Sequence, residues 1–269
     1  MSLNKPPSAW AGFCAVIALA ACGGGDPVVS GTPAAPAPSP APAPSGVPPG
    51  GLYVGYYQED PLTNPEDPTP GAFALNLPTG NGDFSGSMFF TYVGCQTSNV
   101  GAVGGTKNAL ALSGTWSGSI DGSPQSGSYT GTYDAAQLSY AGTYLNAGGK
   151  QFRDLRPCIQ YWIAPNGSWE MFPIDSAVPA TFTVTIAGRR VTWPVVSGAA
   201  FTLVYVLDPA IARSSGNPVL WQTVIGSATT NFDVPASVVL SVGTEYVVAV
   251  GVSDSRQKRL AFASKRFTY

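Results

Sequence analysis

Between Leu110 and Leu145 the chain alternates apolar or aromatic side chains with Ser and Thr, and Gly or Asp breaks the alternation at short intervals. It reads Leu-Ser-Gly-Thr-Trp-Ser-Gly-Ser-Ile, a turn at Asp121-Gly122, Gly-Ser-Tyr-Thr-Gly-Thr-Tyr, a turn near Asp134, then Leu-Ser-Tyr-Ala-Gly-Thr-Tyr-Leu. A period of two sends successive side chains to opposite faces of a strand, so this stretch predicts an antiparallel meander. Trp116, Ile120, Tyr129, Tyr133, Leu138, Tyr140 and Tyr144 are its candidate core layers. A further hairpin is expected from Ile159–Ala164 and Ser168–Phe172, turning at Asn166-Gly167. The region from about 51 to 174 is therefore expected to form a small antiparallel β-barrel or sandwich, and the mouth of a closed barrel could hold a ligand.

Composition supports an all-β chain and narrows its chemistry. Hydrophobic residues make up 44%, enough for a packed core, while charged residues reach only 10% against about 25% in ordinary domains. Histidine is absent, which removes the usual general base at neutral pH and the commonest metal ligand. Residues 51–174 carry nine acidic and four basic side chains, and residues 175–269 five and eight, so the two halves have opposite net charge.

The amino terminus has one lysine, Lys5, and then an apolar run from Ala9 to Ala21. It is too short to span a bilayer as a helix and has the form of a signal segment. Leu19-Ala20-Ala21-Cys22-Gly23 resembles the lipobox of bacterial lipoproteins. The resemblance implies cleavage of residues 1–21, acylation of Cys22 and anchorage on a lipid bilayer, which two or more acyl chains hold stably. Gly23 and Gly24 follow the cysteine where inner-membrane lipoproteins of Gram-negative bacteria carry aspartate, so the resemblance points to the outer membrane, on either its periplasmic or its surface face. Residues 22–50 then read as a disordered Pro/Ala-rich tether, with nine prolines from Pro27 to Pro49. Such a segment favours polyproline II at about 3.1 Å per residue.

With Cys14 removed and Cys22 lipidated, Cys95 and Cys158 remain. In an exported protein these two are expected to form a disulfide, closing a loop of 64 residues and stabilising the fold by about 4 kcal/mol on the chain-entropy model.

Residues 175–269 resemble a fibronectin type III domain in the order of their patterns. Phe182–Ile186 would be strand A, Val191–Trp193 strand B, Phe201–Leu207 strand C, and Leu220–Ile225 and Asn231–Val234 the next two. Leu240 to Val250 matches a tyrosine corner at Tyr246 leading into strand F, and Leu260–Tyr269 closes the sandwich. Val242 stands where the family often has proline. The family implies a spacer or binding platform. Arg256, Lys258 and Arg259 in the last loop are candidate contacts for an anionic partner. The Gly-Thr-Trp and Gly-Thr-Tyr strings of the first region also resemble, over about 40 residues, the barrel lobes of transferrin-binding surface lipoproteins and avidin-type barrels.

Catalytic patterns are sparse. Ser255-Arg-Gln-Lys258 matches Ser-x-x-Lys but falls in an expected hairpin loop, and there is no nucleophile elbow, phosphate loop or dinucleotide fingerprint. The acidic stretch Glu59, Asp60, Glu66 and Asp67 lacks the spacing that wraps a calcium ion. No cofactor, metal or nucleic-acid partner is expected, and the chain reads as a non-catalytic envelope protein acting through binding or interaction. Two alternatives stay open. One is a hydrolase of envelope polysaccharide using two carboxylates from Asp83, Asp121, Asp134, Asp154 and Glu170. The other is a periplasmic structural or assembly factor.

Overall fold

The alternating stretch and its flanks do close on themselves. The structure, a computed structural model, describes residues 48–59, 71–92, 97–120, 123–147, 152–154, 161–163, 166–213, 218–226 and 229–269. Its first ten strands are β1 (Gly51–Glu59), β2 (Gly71–Leu77), β3 (Gly82–Tyr92), β4 (Thr97–Asn108), β5 (Ala111–Ile120), β6 (Ser123–Asp134), β7 (Ser139–Asn146), β8 (Phe152–Asp154), β9 (Tyr161–Ile163) and β10 (Asn166–Pro173). Strands β1 to β7 follow one another as an antiparallel meander, and β10 pairs with both β7 and β1, completing an eight-stranded closed barrel. Strands β8 and β9 pair only with each other, on the connection between β7 and β10. Of the two architectures expected for this region, the chain adopts the barrel.

A five-fold string explains why the barrel can close around aromatic side chains. Gly114-Thr-Trp116, Gly127-Ser-Tyr129, Gly131-Thr-Tyr133, Gly142-Thr-Tyr144 and Gly167-Ser-Trp169 share one form, glycine and aromatic facing in and the hydroxyl residue facing out. An eight-stranded barrel has room for side chains and little else. Register answers this by setting rings opposite glycines: Trp116 faces Gly127, Tyr129 faces Gly114, Tyr144 faces Gly167 and Trp169 faces Gly142. The rings of Trp116, Tyr144 and Trp169 lie over the space a β-carbon would occupy on Gly127, Gly167 and Gly131. A Cβ on Gly127 would meet Trp116 Cε2 at 2.7 Å, and one on Gly131 would fall on the Trp169 ring. Two of the rings bond backbone through their polar edges, Tyr129 Oη donating to Gly104 O at 3.2 Å and Trp169 Nε1 to Thr143 O at 3.2 Å. Tyr53, Phe73, Leu75, Leu112, Tyr140 and Met171 complete the barrel core.

The remaining strands are β11 (Ala177–Val178), β12 (Thr185–Ala187), β13 (Arg190–Thr192), β14 (Phe201–Leu207), β15 (Val219–Gly226), β16 (Asn231–Asp233), β17 (Glu245–Ser253) and β18 (Arg259–Thr268), with one short helix, α1 (Pro209–Arg213). They form a five-stranded sheet in the order β11-β18-β17-β14-β15 and a three-stranded sheet in the order β12-β13-β16. Alternation divides the larger sheet between two cores. Val204, Val206, Val248, Val250, Val252, Ala261 and Ala263 pack toward the small sheet with Val191 and Trp193. Leu203, Tyr205, Leu207, Val247, Ala249 and Phe262 point the other way, onto Leu52, Val54, Tyr56, Ala72, Ala74 and Phe172 of the barrel wall. Three layers result: small sheet, large sheet, barrel. Phe172 stacks on Phe262 with ring centroids 4.3 Å apart, and Tyr205 Oη donates to the Gly55 carbonyl at 3.1 Å.

Three local expectations are corrected. Asn166-Gly167 opens β10 instead of turning a hairpin, because Gly167 is needed opposite Tyr144. Leu138 sits exposed at the tip of the β6–β7 turn, with a left-handed φ of 52°, and takes no part in the core. The strand expected over Phe182–Ile186 is only Thr185–Ala187; Phe182 and Val184 are buried ahead of it without ladder pairing, and a short strand, β11, precedes it.

The string predicts an asymmetric response to small additions. Gly131→Ala should lower the unfolding free energy by about 1–3 kcal/mol, the usual cost of overpacking, as measured by urea titration. Thr132→Ala, facing outward next to it, should stay within about 0.5 kcal/mol of the parent.

Candidate functional site

Strand direction gives the barrel two distinct ends. At the lower end the chain enters at Pro48, turns at 78–81, 109–110 and 135–138, and leaves at Ile174 toward the sheets. At the upper end lie Glu59, Gly71, Tyr92, Thr97, Ile120, Ser123, Asn146 and Asn166. Cys22, Cys95, Cys158, Asp60, Glu66, Asp67 and Asp121 lie outside the described residues, and so does the side chain of Asp154. The strands flanking Cys95 are β3 and β4, and Cys158 falls between β8 and β9.

One candidate ligand cation, Arg259, and one candidate acid, Glu170, meet at the junction of barrel and large sheet. Arg259, at the start of β18, places Nε 2.6 Å from Glu170 Oε2 of β10, both side chains being mostly shielded from solvent. The same guanidinium donates through Nη2 to Gln137 Oε1 at 3.2 Å and lies over the Phe172 ring, 5.4 Å from its centroid. Glu170 also accepts from Tyr56 Oη at 2.8 Å and Ser139 Oγ at 3.3 Å. Burial, and then the Glu170 charge, push the Tyr56 hydroxyl well above its ordinary range, so it stays a protonated donor. A carboxylate holding three donors, one of them charged, is an acceptor that pins two bodies together. Arg256 and Lys258 remain exposed in the β17–β18 turn, where Asp254 Oδ1 accepts both of their backbone N–H groups at 2.9 Å.

The other described carboxylates named as candidates also have structural partners, each in a different place. Asp83 accepts the Thr106 hydroxyl on the outer barrel wall at 2.9 Å. Asp134 caps the lower turn, accepting from the N–H of Ala136 at 2.8 Å. Glu59 faces into the upper barrel and is buried and engaged.

At the lower mouth the structure shows a residue that sequence reading passed over. Lys107 is buried inside the barrel, and its ammonium donates to the carbonyls of Pro48 at 3.2 Å and Pro78 at 2.8 Å. Tyr53 Oη donates to the next carbonyl, Pro49 O, at 2.8 Å, so the incoming chain is strapped across the mouth. Desolvation lowers the Lys107 pKa. Beside this strap Tyr140 packs between Tyr53 and Tyr133, with centroids 5.7 and 5.1 Å away, and burial raises its pKa to about 12. The signal for Lys107 was available: it follows Val103 and Gly105 at spacings of two, on the inward face of β4.

Removing Arg259 tests the junction. Arg259→Ala strands a shielded carboxylate and should cost about 2–3 kcal/mol in urea unfolding. In a double-mutant cycle with Glu170→Gln, the second change should recover part of that loss, the coupling expected of a direct pair. A scan of protein-family models and a search of curated proteins both give no match to this chain.

Proposed function

We propose that the chain is an outer-membrane lipoprotein, acylated at Cys22, whose barrel and sandwich act as a non-catalytic module for binding or interaction in the cell envelope. The observation that carries the anchor is Leu19-Ala20-Ala21-Cys22-Gly23 at the end of a short apolar run, followed by a Pro-rich spacer. Supporting the interaction role, the described candidate carboxylates of the barrel are turn caps, surface acceptors or interface partners.

We read the second body as a fibronectin type III-like module. Its small sheet, β12-β13-β16, corresponds to strands A, B and E of that plan, and β15-β14-β17-β18 to C′, C, F and G. Tyr246 near the start of β17 supports the same reading, since its hydroxyl accepts the Ser241 N–H at 2.8 Å across the corner between β16 and β17. The added strand β11 and the helix α1 are departures from the plan.

Cys22→Ser should move the protein from the membrane fraction to the soluble exported fraction on ultracentrifugation; unchanged membrane association would overturn the anchor. Peptide mass spectrometry without reduction should recover Cys95 joined to Cys158, and two alkylatable thiols in the exported protein would exclude the bridge.

A further inference from the structure

The lower end of the body gathers features from four separated parts of the chain. Pro48 fixes the point from which the chain runs back toward residue 22, held by Lys107 and Tyr53 as described. Beside it are two neighbouring turn tips bearing exposed leucines, Leu110 at 41% and Leu138 at 45% exposure. The turns are joined by the Tyr133 N–H donating to the Leu110 carbonyl at 2.8 Å. Each holds a non-glycine residue in the left-handed region, Ala109 at φ 51° and Leu138 at 52°, so the backbone adopts an uncommon conformation at both tips. The basic turn of the second body meets the same place through Arg259 and Gln137, and it presents Arg256 and Lys258 to solvent.

We propose that this end docks on the lipid surface, leucine tips in the interfacial layer and Arg256 and Lys258 against anionic headgroups. The proposal rests on the reading of Cys22 as a lipid anchor. Two considerations select a bilayer over another protein. The chain outside the described body leaves from this end, and residues 22–47 span at most roughly 80 Å as polyproline II. A tethered body therefore samples the membrane at an effective concentration of about millimolar, so even a weak contact is occupied. Apolar tips flanked by cations are also the pairing that an anionic interface selects. The nearby acids are engaged elsewhere and, among the described residues, none is ion-paired with Arg256 or Lys258: Glu170 pairs with Arg259 and Asp175 with Arg266, Asp83 accepts the Thr106 hydroxyl, and Asp134 and Asp254 accept backbone N–H groups of their own turns. Exposed Val239 and Val242 lie on the opposite end of the sandwich, on the segment that Arg189 holds through the Pro235 and Val238 carbonyls, and they supply an internal control.

Hydroxyl-radical footprinting read by mass spectrometry tests this on the full chain. The acylated protein is reconstituted in phosphatidylcholine/phosphatidylglycerol vesicles and compared with Cys22→Ser mixed with the same vesicles. Docking predicts oxidation of Leu110 and Leu138 at least about threefold slower in the anchored protein, with Val239 and Val242 unchanged. Arg256→Glu with Lys258→Glu, still anchored, should restore at least half of the lost oxidation. Equal rates at Leu110 and Leu138 in both forms, while the acylated protein floats with the vesicles, would overturn the docking and leave the anchor standing. Failure of the acylated protein to float would remove the anchor and the docking together.

Discussion

The five-stranded sheet is buried on both faces, and most of the architecture depends on that. Its inner valines meet the small sheet, while Leu203, Tyr205, Leu207, Val247, Ala249 and Phe262 meet the barrel wall. A strand covered on one side alternates, but one covered on both reads as a continuous apolar run. Phe201–Leu207 and Tyr246–Val252 are such runs. Removing the barrel would expose one whole face of this sheet, and removing the sheet would expose the apolar arc of the barrel formed by β1, β2 and β10. Burial of large apolar side chains contributes about 1.5–3 kcal/mol each, so the shared layer couples the stability of the two bodies. The Glu170–Arg259 pair lies within this layer's rim and adds directionality: Tyr56 and Phe172, which belong to the apolar contact, also touch the pair.

Inside the barrel a different constraint rules. There, volume and not area is scarce, and glycine opposite an aromatic ring is the device that fits a wide side chain into a narrow lumen without moving the backbone. The same strings account for the shortage of charge. Every glycine–aromatic unit turns a Ser or Thr outward, and register lines two of these, Thr143 and Ser168, up with Thr106, Ser113 and Thr130 of the same outward face across the wall. Away from the apolar arc of β1, β2 and β10, this part of the outer wall is thus made polar mainly by hydroxyl groups, with Asp83 a charged exception.

The tertiary contacts also redistribute roles among residues that looked alike in sequence. Arg256, Lys258 and Arg259 are near neighbours in one turn, yet Arg259 is consumed by the junction while the other two face solvent. Arg189 is occupied with holding the Pro235 and Val238 carbonyls and the Tyr269 hydroxyl, at 2.7, 3.0 and 3.2 Å. Lys107, isolated in a glycine-rich strand, closes the lower mouth instead.

Sequence by itself determined the all-β class, the meander, the candidacy of Trp116, Tyr129, Tyr133, Tyr140 and Tyr144 for the core, and strand β14 to the residue, because period-two alternation and turn chemistry are local properties of the chain; that these rings share the inner face was settled by closure. The lipobox-like string Leu19–Gly23 and the Pro-rich stretch that follows it are local patterns of the same kind, and they carry the proposal of an anchor. Only the tertiary structure decided that the meander closes, that Asn166-Gly167 belongs to a strand, that the barrel and the large sheet share a core, and that Glu170 is spent on Arg259. Those outcomes depend on pairing between residues as far apart as Gly55 and Tyr205, and long-range pairing is set by which faces can be buried together, a property no local pattern carries.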